Sequence, residues 1–229
     1  MAKGVEKYLK KNKWYHATTL SGWKEICDKK LQVNHNKNHE LDFGYGFYLT
    51  PKLDQANKFI QTIISLPDDN LLLELDSLYQ TESNQDDKVG VIVEFDFIPY
   101  DWYTDKSYNH KILSTYDDEF AEFVFYNRTE NIDGSNQHKF DFIFGVMSDS
   151  IPTIEIQKYR DGQIGKDEVI ESLKKSTSSK QLSIHNQVLC DIIYPCRAFI
   201  IDTGEELDIN DYNDNNDAAR HDFAHKTVI

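Results

Sequence analysis

Leu41-Asp42-Phe43-Gly44-Tyr45-Gly46-Phe47-Tyr48-Leu49-Thr50-Pro51 is the stretch on which the reading of this chain turns. Two glycines sit one residue apart, wedged between aromatic residues and feeding a short apolar run. Without a Cβ, Gly44 and Gly46 are expected to adopt positive φ and bring the main chain close to a ligand. Phe43, Tyr45, Phe47 and Tyr48 offer flat faces for a ring to stack on. A glycine-relaxed turn entering a buried strand would carry the same residues. The upstream segment Trp14-Tyr15-His16-Ala17-Thr18-Thr19 favours a binding site, because it places a histidine at the end of a short aromatic strand.

Working outward, Thr19 or Ser21 is placed to cap a helix through Trp23, Ile26 and Cys27, whose spacing is helical. A polar loop over residues 34–40 delivers the chain to the glycine pair. Residues 47–50 read as a second strand, Pro51 opens the next helix, and Leu53, Ala56, Phe59, Ile60 and Ile63 trace its apolar stripe. Further on, a helical segment is expected over residues 71–78 and a polar loop over 81–87. Residues 89–97 form the clearest strand, expected to be central. Residues 101–115 read as irregular. Residues 117–128 fit a helix with Phe120, Phe123, Val124 and Asn127 on one face, or an alternating strand; the aspartates before it favour the helix. Strands follow at 140–146, 181–185 and 197–202, with helices at 154–159 and 166–173 and a loop at 176–179.

The 229 residues give one α+β domain over 13–209, between a lysine-rich lead-in (1–12) and an acidic tail (210–229) too poor in apolar residues to fold alone. With 39 Asp and Glu against 25 Lys and Arg, the overall field repels phosphate backbones, which argues against a non-specific nucleic-acid binder. No apolar run reaches the ~20 residues of a membrane span, and the first residues lack the apolar centre of a secretory signal, so a cytoplasmic protein is expected. Three cysteines, Cys27, Cys190 and Cys196, without a C-x-x-C pair, fit reduced thiols rather than a disulfide framework or a zinc site. His221 and His225 have zincin spacing, but with aspartate for the glutamate and a position in the tail. The acidic run at 208–217 lacks the glycine of a calcium loop, so no metal is expected.

In motif order the chain resembles the ADP-ribosyltransferase superfamily, in its histidine-tyrosine-glutamate branch. Tyr15-His16-Ala17-Thr18 is similar to that family's first-strand Tyr-His-Gly-Thr/Ser, and Gly44-Tyr45-Gly46-Phe47-Tyr48-Leu49-Thr50 to its Gly-x-Gly-x-Tyr motif. Within the superfamily it looks most like uncharacterised bacterial toxin-like domains that are often encoded beside a small partner gene. Those share Glu94-Phe95-Asp96, a helix ending at Asn127-Arg128, a strand from Phe140 to Gly145, and a late strand opening with Gln181. The resemblance implies a split β-sheet core with flanking helices and cleavage of the nicotinamide-ribose bond of NAD. An unknown macromolecular acceptor, protein or nucleic acid, would take the ADP-ribose, with a small antitoxin protein as a further partner and toxin-antitoxin or phage defence as the setting.

It also implies roles. His16 would hold a ribose hydroxyl, Tyr48 would stack on nicotinamide, and Tyr45 would close over it. Ala17, where the family has glycine, would offer its main-chain N–H and C=O to the nicotinamide amide, with Thr18, Gly44 and Gly46 lining the site and Arg128 pairing with the pyrophosphate. The family's catalytic acid opens the late strand, where this chain has Gln181; Glu122 is the second candidate for the missing charge. Two alternatives stand beside this reading: a catalytically silent NAD-binding or protein-interaction module of the same fold, and a structural protein that uses its acidic tail to hold a partner.

Overall fold

The computed structural model describes residues 2–65, 85–148, 151–175, 179–210 and 212; the expected helix at 71–78, most of the polar loops at 81–87 and 176–179, and all but the start of the tail lie outside them. Strand β1 (Lys13–Thr19) pairs antiparallel with β3 (Gly90–Asp96), which pairs with β7 (Pro195–Ile200) and it in turn with β8 (Glu206–Leu207). A second sheet runs β2 (Phe47–Leu49), β6 (Lys180–Ile184), β5 (Phe142–Val146) and β4 (His110–Leu113), antiparallel except for the β4–β5 pair. The fold is therefore α+β in two four-stranded sheets, and β3 lies inside its sheet as expected.

Period-two alternation assigns the faces. Val91, Val93 and Phe95 of β3 meet Phe142, Phe144, Leu182, Ile184, Phe47 and Leu49 of the other sheet in one buried core, with Trp14 and Trp23. On the outer side of the first sheet, Ile92 packs under Ala56 and Ile60 of α3 (Leu53–Ser65). On the outer side of the second, Ile143 and Phe43 lie under α5 (Asp118–Thr129), α6 (Ile151–Arg160) and α7 (Lys166–Leu173).

Local chemistry explains the helices. Thr19 caps α2 (Leu20–Lys29) by accepting from the Gly22 amide at 3.2 Å. The ambiguous segment at 117–128 is helical because Asp117 accepts from the Phe120 amide at 3.1 Å and Asp118 and Glu119 complement the helix dipole. Phe120, Ala121, Val124, Phe125 and Asn127 are buried on one face.

Several elements escape the sequence reading, the short β8 among them. Residues expected to be irregular form α4 (Pro99–Thr104), started by Pro99, and β4; α8 (Gln187–Asp191) is a single turn capped by Asn186. The lysine-rich lead-in forms α1 (Ala2–Leu9), whose Val5 and Leu9 join the main core. Past the expected boundary at 210, Tyr212 is also buried there. Cys27 and Cys190 are buried and Cys196 is exposed. Among the described residues no helix is long and apolar enough to cross a membrane.

Candidate functional site

Among the described residues, main-chain pairing joins the two sheets at one place. Tyr15 and Thr50 form a single antiparallel bridge, with N–H···O bonds of 2.9 Å in both directions, and β1 and β2 pair no further. Residues opposed across such a bridge point to one side, and side chains alternate along each strand. Tyr15, Ala17, Thr50 and Tyr48 thus share one side of the split, and His16 and Phe47 the other; the His16 and Phe47 rings lie 4.6 Å apart.

His16 sits in the split itself. Its Nδ1 is 2.8 Å from the carbonyl oxygen of Tyr48. A carbonyl can only accept, so Nδ1 carries the proton and Nε2 is left as a bare acceptor. Burial pushes the imidazole down to about 4, opposed by the bond to Tyr48 and assisted by nearby His35, which keeps the ring neutral at pH 7. Nε2 has no hydrogen-bond partner among the described residues.

The main chain of Ala17 completes that edge. Along an antiparallel strand, the N–H and C=O of successive residues point to alternate sides. Those of Tyr15 go to Thr50, so those of His16 go to β3 and those of Ala17 point away from β3, toward the side where pairing with β2 has stopped. Thr18, by contrast, is buried, with its Oγ1 packed against the α carbon of Gly22, and lines no opening.

Tyr48 pairs across β2–β6 with Ser183, and Gln181 lies two residues along on the same face. Gln181 is buried, and its Nε2 donates to Asp42 Oδ2 at 2.8 Å and to the Val146 carbonyl at 3.2 Å. Asp42 is the hub behind the site. Its carboxylate also accepts from the Ser148 amide at 3.0 Å, from the Ser148 hydroxyl and from Arg128 Nε at 2.8 Å, and forms an ion pair with Arg128 Nη2 at 2.8 Å. Arg128, expected to face a pyrophosphate, instead neutralises this buried carboxylate from the last turn of α5.

The glycine loop is held from all sides. Its carbonyls at Phe43, Gly44, Tyr45 and Gly46 accept, in order, from His138 Nε2 (2.8 Å), the Tyr48 hydroxyl (2.7 Å), His185 Nδ1 (2.7 Å) with Gln137 Nε2 (2.9 Å), and Asn36 Nδ2 (2.8 Å). Burial holds both histidines below their ordinary range and raises the Tyr48 phenol well above its own, so these donors stay neutral. Gly44 has φ +77°, as expected, but Gly46 has no positive φ; its hydrogen is required because a Cβ would stand 2.7 Å from the His185 ring and 2.8 Å from the Ile184 carbonyl. The Tyr45 ring packs on Gly134, away from the Tyr48 phenol, which is committed to Gly44.

The structure thus places His16 and the Ala17 main chain at the split, sets Tyr48 and Gln181 on the adjoining strands β2 and β6 with Gln181 buried against Asp42, and leaves Glu122 on the exposed face of α5. Glu122 is exposed on the solvent side of α5, opposite the buried stripe that meets the sheet. Asp42, Ser148, His138, His185, Gln137 and Asn36 are the site's supports that sequence reasoning missed. Only Asp42 had a local signal, a charge inside the decisive stretch.

Comparison with curated proteins and with solved structures finds no match. A family model described as a protein of unknown function (DUF3990) matches residues 15–194, from the strand that carries His16 to just beyond α8, and the chain belongs to that family.

Proposed function

We propose that this protein binds NAD in the split between β1 and β2 and acts as an ADP-ribosyltransferase, passing ADP-ribose to a macromolecular acceptor. The observation that carries the reading is the open edge of β1: the Ala17 N–H and C=O point out of the ladder beside the bare Nε2 of His16. A donor and an acceptor side by side on one strand edge fit a primary carboxamide, which presents an N–H and a C=O together, and a neutral imidazole nitrogen fits a ribose hydroxyl. Two sheets joined at one bridge, with the histidine in the gap, are what an ADP-ribosyltransferase-like split core would require. In this reading the departing nicotinamide is held at Ala17, and the anomeric carbon, carrying developing positive charge, faces the Gln181 end of β6. The setting in toxin-antitoxin or phage defence, and a small antitoxin partner, rest on the family resemblance.

A second reading, a catalytically silent NAD-binding module, is favoured by one observation: the carboxylate behind Gln181, Asp42, is already paired with Arg128, and residue 181 is neutral. One experiment separates the two. The full chain is incubated with NAD labelled in the adenine ring and with whole-cell lysate, and both released nicotinamide and label resistant to protease or nuclease are measured. Transferred label, or nicotinamide release above the uncatalysed rate, supports the enzyme. NAD binding with neither product supports the silent module, and no NAD binding sinks both.

A further inference from the structure

Gln181 stands where an acidic residue would be expected, and its surroundings show why a glutamine suits this chain. Both groups that its Nε2 meets, the Asp42 carboxylate at 2.8 Å and the Val146 carbonyl at 3.2 Å, are acceptors only. The NH2 end of the amide must therefore face them, and Oε1 is the end left over, without a hydrogen-bond partner among the described residues. The residue is 7% exposed, so the sense of the amide is fixed by these two bonds rather than by water.

We propose that Asp42 is a positioning residue for the site, which locks the Gln181 amide with its oxygen presented outward as a neutral acceptor, and that residue 181 cannot be a glutamate while Asp42 is in place. What takes the presented oxygen, a ribose hydroxyl, rests on the NAD reading above; the lock itself does not. Asp42 is held by three hydrogen-bond donors besides Gln181, Arg128 Nε and the Ser148 amide and hydroxyl, and by its ion pair with Arg128 Nη2. It cannot swing away from a second carboxylate without abandoning them. A glutamate at 181 would set two carboxylates within about 3 Å, where like charges favour protonation of one of the pair. In this chain, glutamine is therefore the substitute that keeps the acceptor and removes the repulsion.

The test uses the full chain with Gln181→Glu, Asp42→Asn and the double variant Asp42→Asn/Gln181→Glu, reading urea midpoint and calorimetric NAD affinity between pH 5 and pH 8. Gln181→Glu is expected to lower the midpoint at pH 8 and to weaken NAD binding at least tenfold, with both deficits shrinking toward pH 5 as the added carboxylate takes a proton. The double variant is expected to recover part of both at pH 8, because no second negative charge then faces the new carboxylate. A merely structural role for Asp42 would leave the Gln181→Glu deficit independent of pH. A Gln181→Glu protein that keeps its midpoint and affinity at pH 8, a deficit that does not change with pH, or a double variant no better than Gln181→Glu would each overturn the proposal. If the double variant does not fold, the pH profile of Gln181→Glu decides alone. If wild type binds no NAD, the NAD reading falls while the urea midpoints still decide the lock.

Discussion

His16 Nδ1 stands 2.8 Å from the Tyr48 carbonyl oxygen, and this one contact fixes the tautomer of the ring that occupies the split between the sheets. With the proton committed to Nδ1, Nε2 can only accept. His16→Ala is expected to weaken NAD binding by about 1–3 kcal/mol, the cost of losing a partner for a desolvated hydroxyl, while the chain stays folded. Isothermal calorimetry on wild type and variant checks it. Unchanged affinity would return His16 to a purely structural role.

The same burial makes His16 a source of acid lability. Its folded value of about 4 lies below the ordinary 6.5, so between these values the unfolded chain binds the extra proton. The contribution is complete above pH 6.5 and is lost as the pH falls through about 4. At full burial the effect is at most on the order of 3 kcal/mol, and less for a ring that water partly reaches. Urea unfolding of wild type and His16→Asn at pH 7 and pH 5 tests it: wild type should lose more stability than the variant. Because His138 and His185 are also held low by burial, the variant should keep part of the slope.

How much of this was legible depends on whether the cause was local. The β1 and β2 strands, the α3 stripe and the central β3 follow from apolar periodicity, and the capping aspartates were enough to choose helix for α5. The motif order singles out His16, Ala17, Tyr48 and Gln181 together from sequence alone. Asp42 was not legible, because its meaning lies in partners 86, 106 and 139 residues away. The same holds for His138 and His185, which act on a loop about 95 and 140 residues upstream in sequence. Glu122, the second candidate for the missing charge, could not be placed from local sequence; in α5 the period is 3.6 and its side chain faces water.

Asp42→Ala should be among the most damaging single changes in the chain. It leaves the Arg128 guanidinium, on a side chain only 13% exposed, without its carboxylate, and strands donors on Ser148 and Gln181. Breaking a buried pair from one side costs about 3–5 kcal/mol. Chemical denaturation should show that loss. A double Asp42→Ala/Arg128→Met variant should be less damaged than Asp42→Ala alone, because no unpaired charge remains. Equal damage in both would mean that the charge pairing matters less than the bonds to Ser148.

Glu122→Gln should do almost nothing. The side chain is exposed on the outer face of α5, and the helix turn that reaches the site through Arg128 is roughly 9 Å further along the axis at 1.5 Å per residue. Stability should stay within about 0.5 kcal/mol of wild type, and NAD affinity and nicotinamide release should be unchanged. A large loss of turnover with NAD still bound would restore Glu122 as the missing acid and require α5 to move in the working state.

The two glycines of the decisive stretch should fail for different reasons when replaced. At Gly44 the backbone has φ +77° and a Cβ would stand 2.4 Å from Gln137 Oε1, so alanine meets both an unfavourable conformation, about 1–2 kcal/mol, and a side-chain end that can retreat. Retreat is not free, since Gln137 Nε2 holds the Tyr45 carbonyl. At Gly46 the conformation is ordinary for any residue, but the Cβ would meet the His185 ring and the Ile184 carbonyl, the latter fixed in β6. Overpacking of that kind costs about 1–3 kcal/mol. Gly46→Ala should therefore be partly rescued by His185→Gly, which removes the ring, whereas no such second change should rescue Gly44→Ala through Gln137, because the strained φ remains. Denaturation midpoints of the four proteins decide it. If Gln137→Gly restores Gly44→Ala to wild-type stability, the positive φ at Gly44 carries no cost and the loop is held by contacts alone.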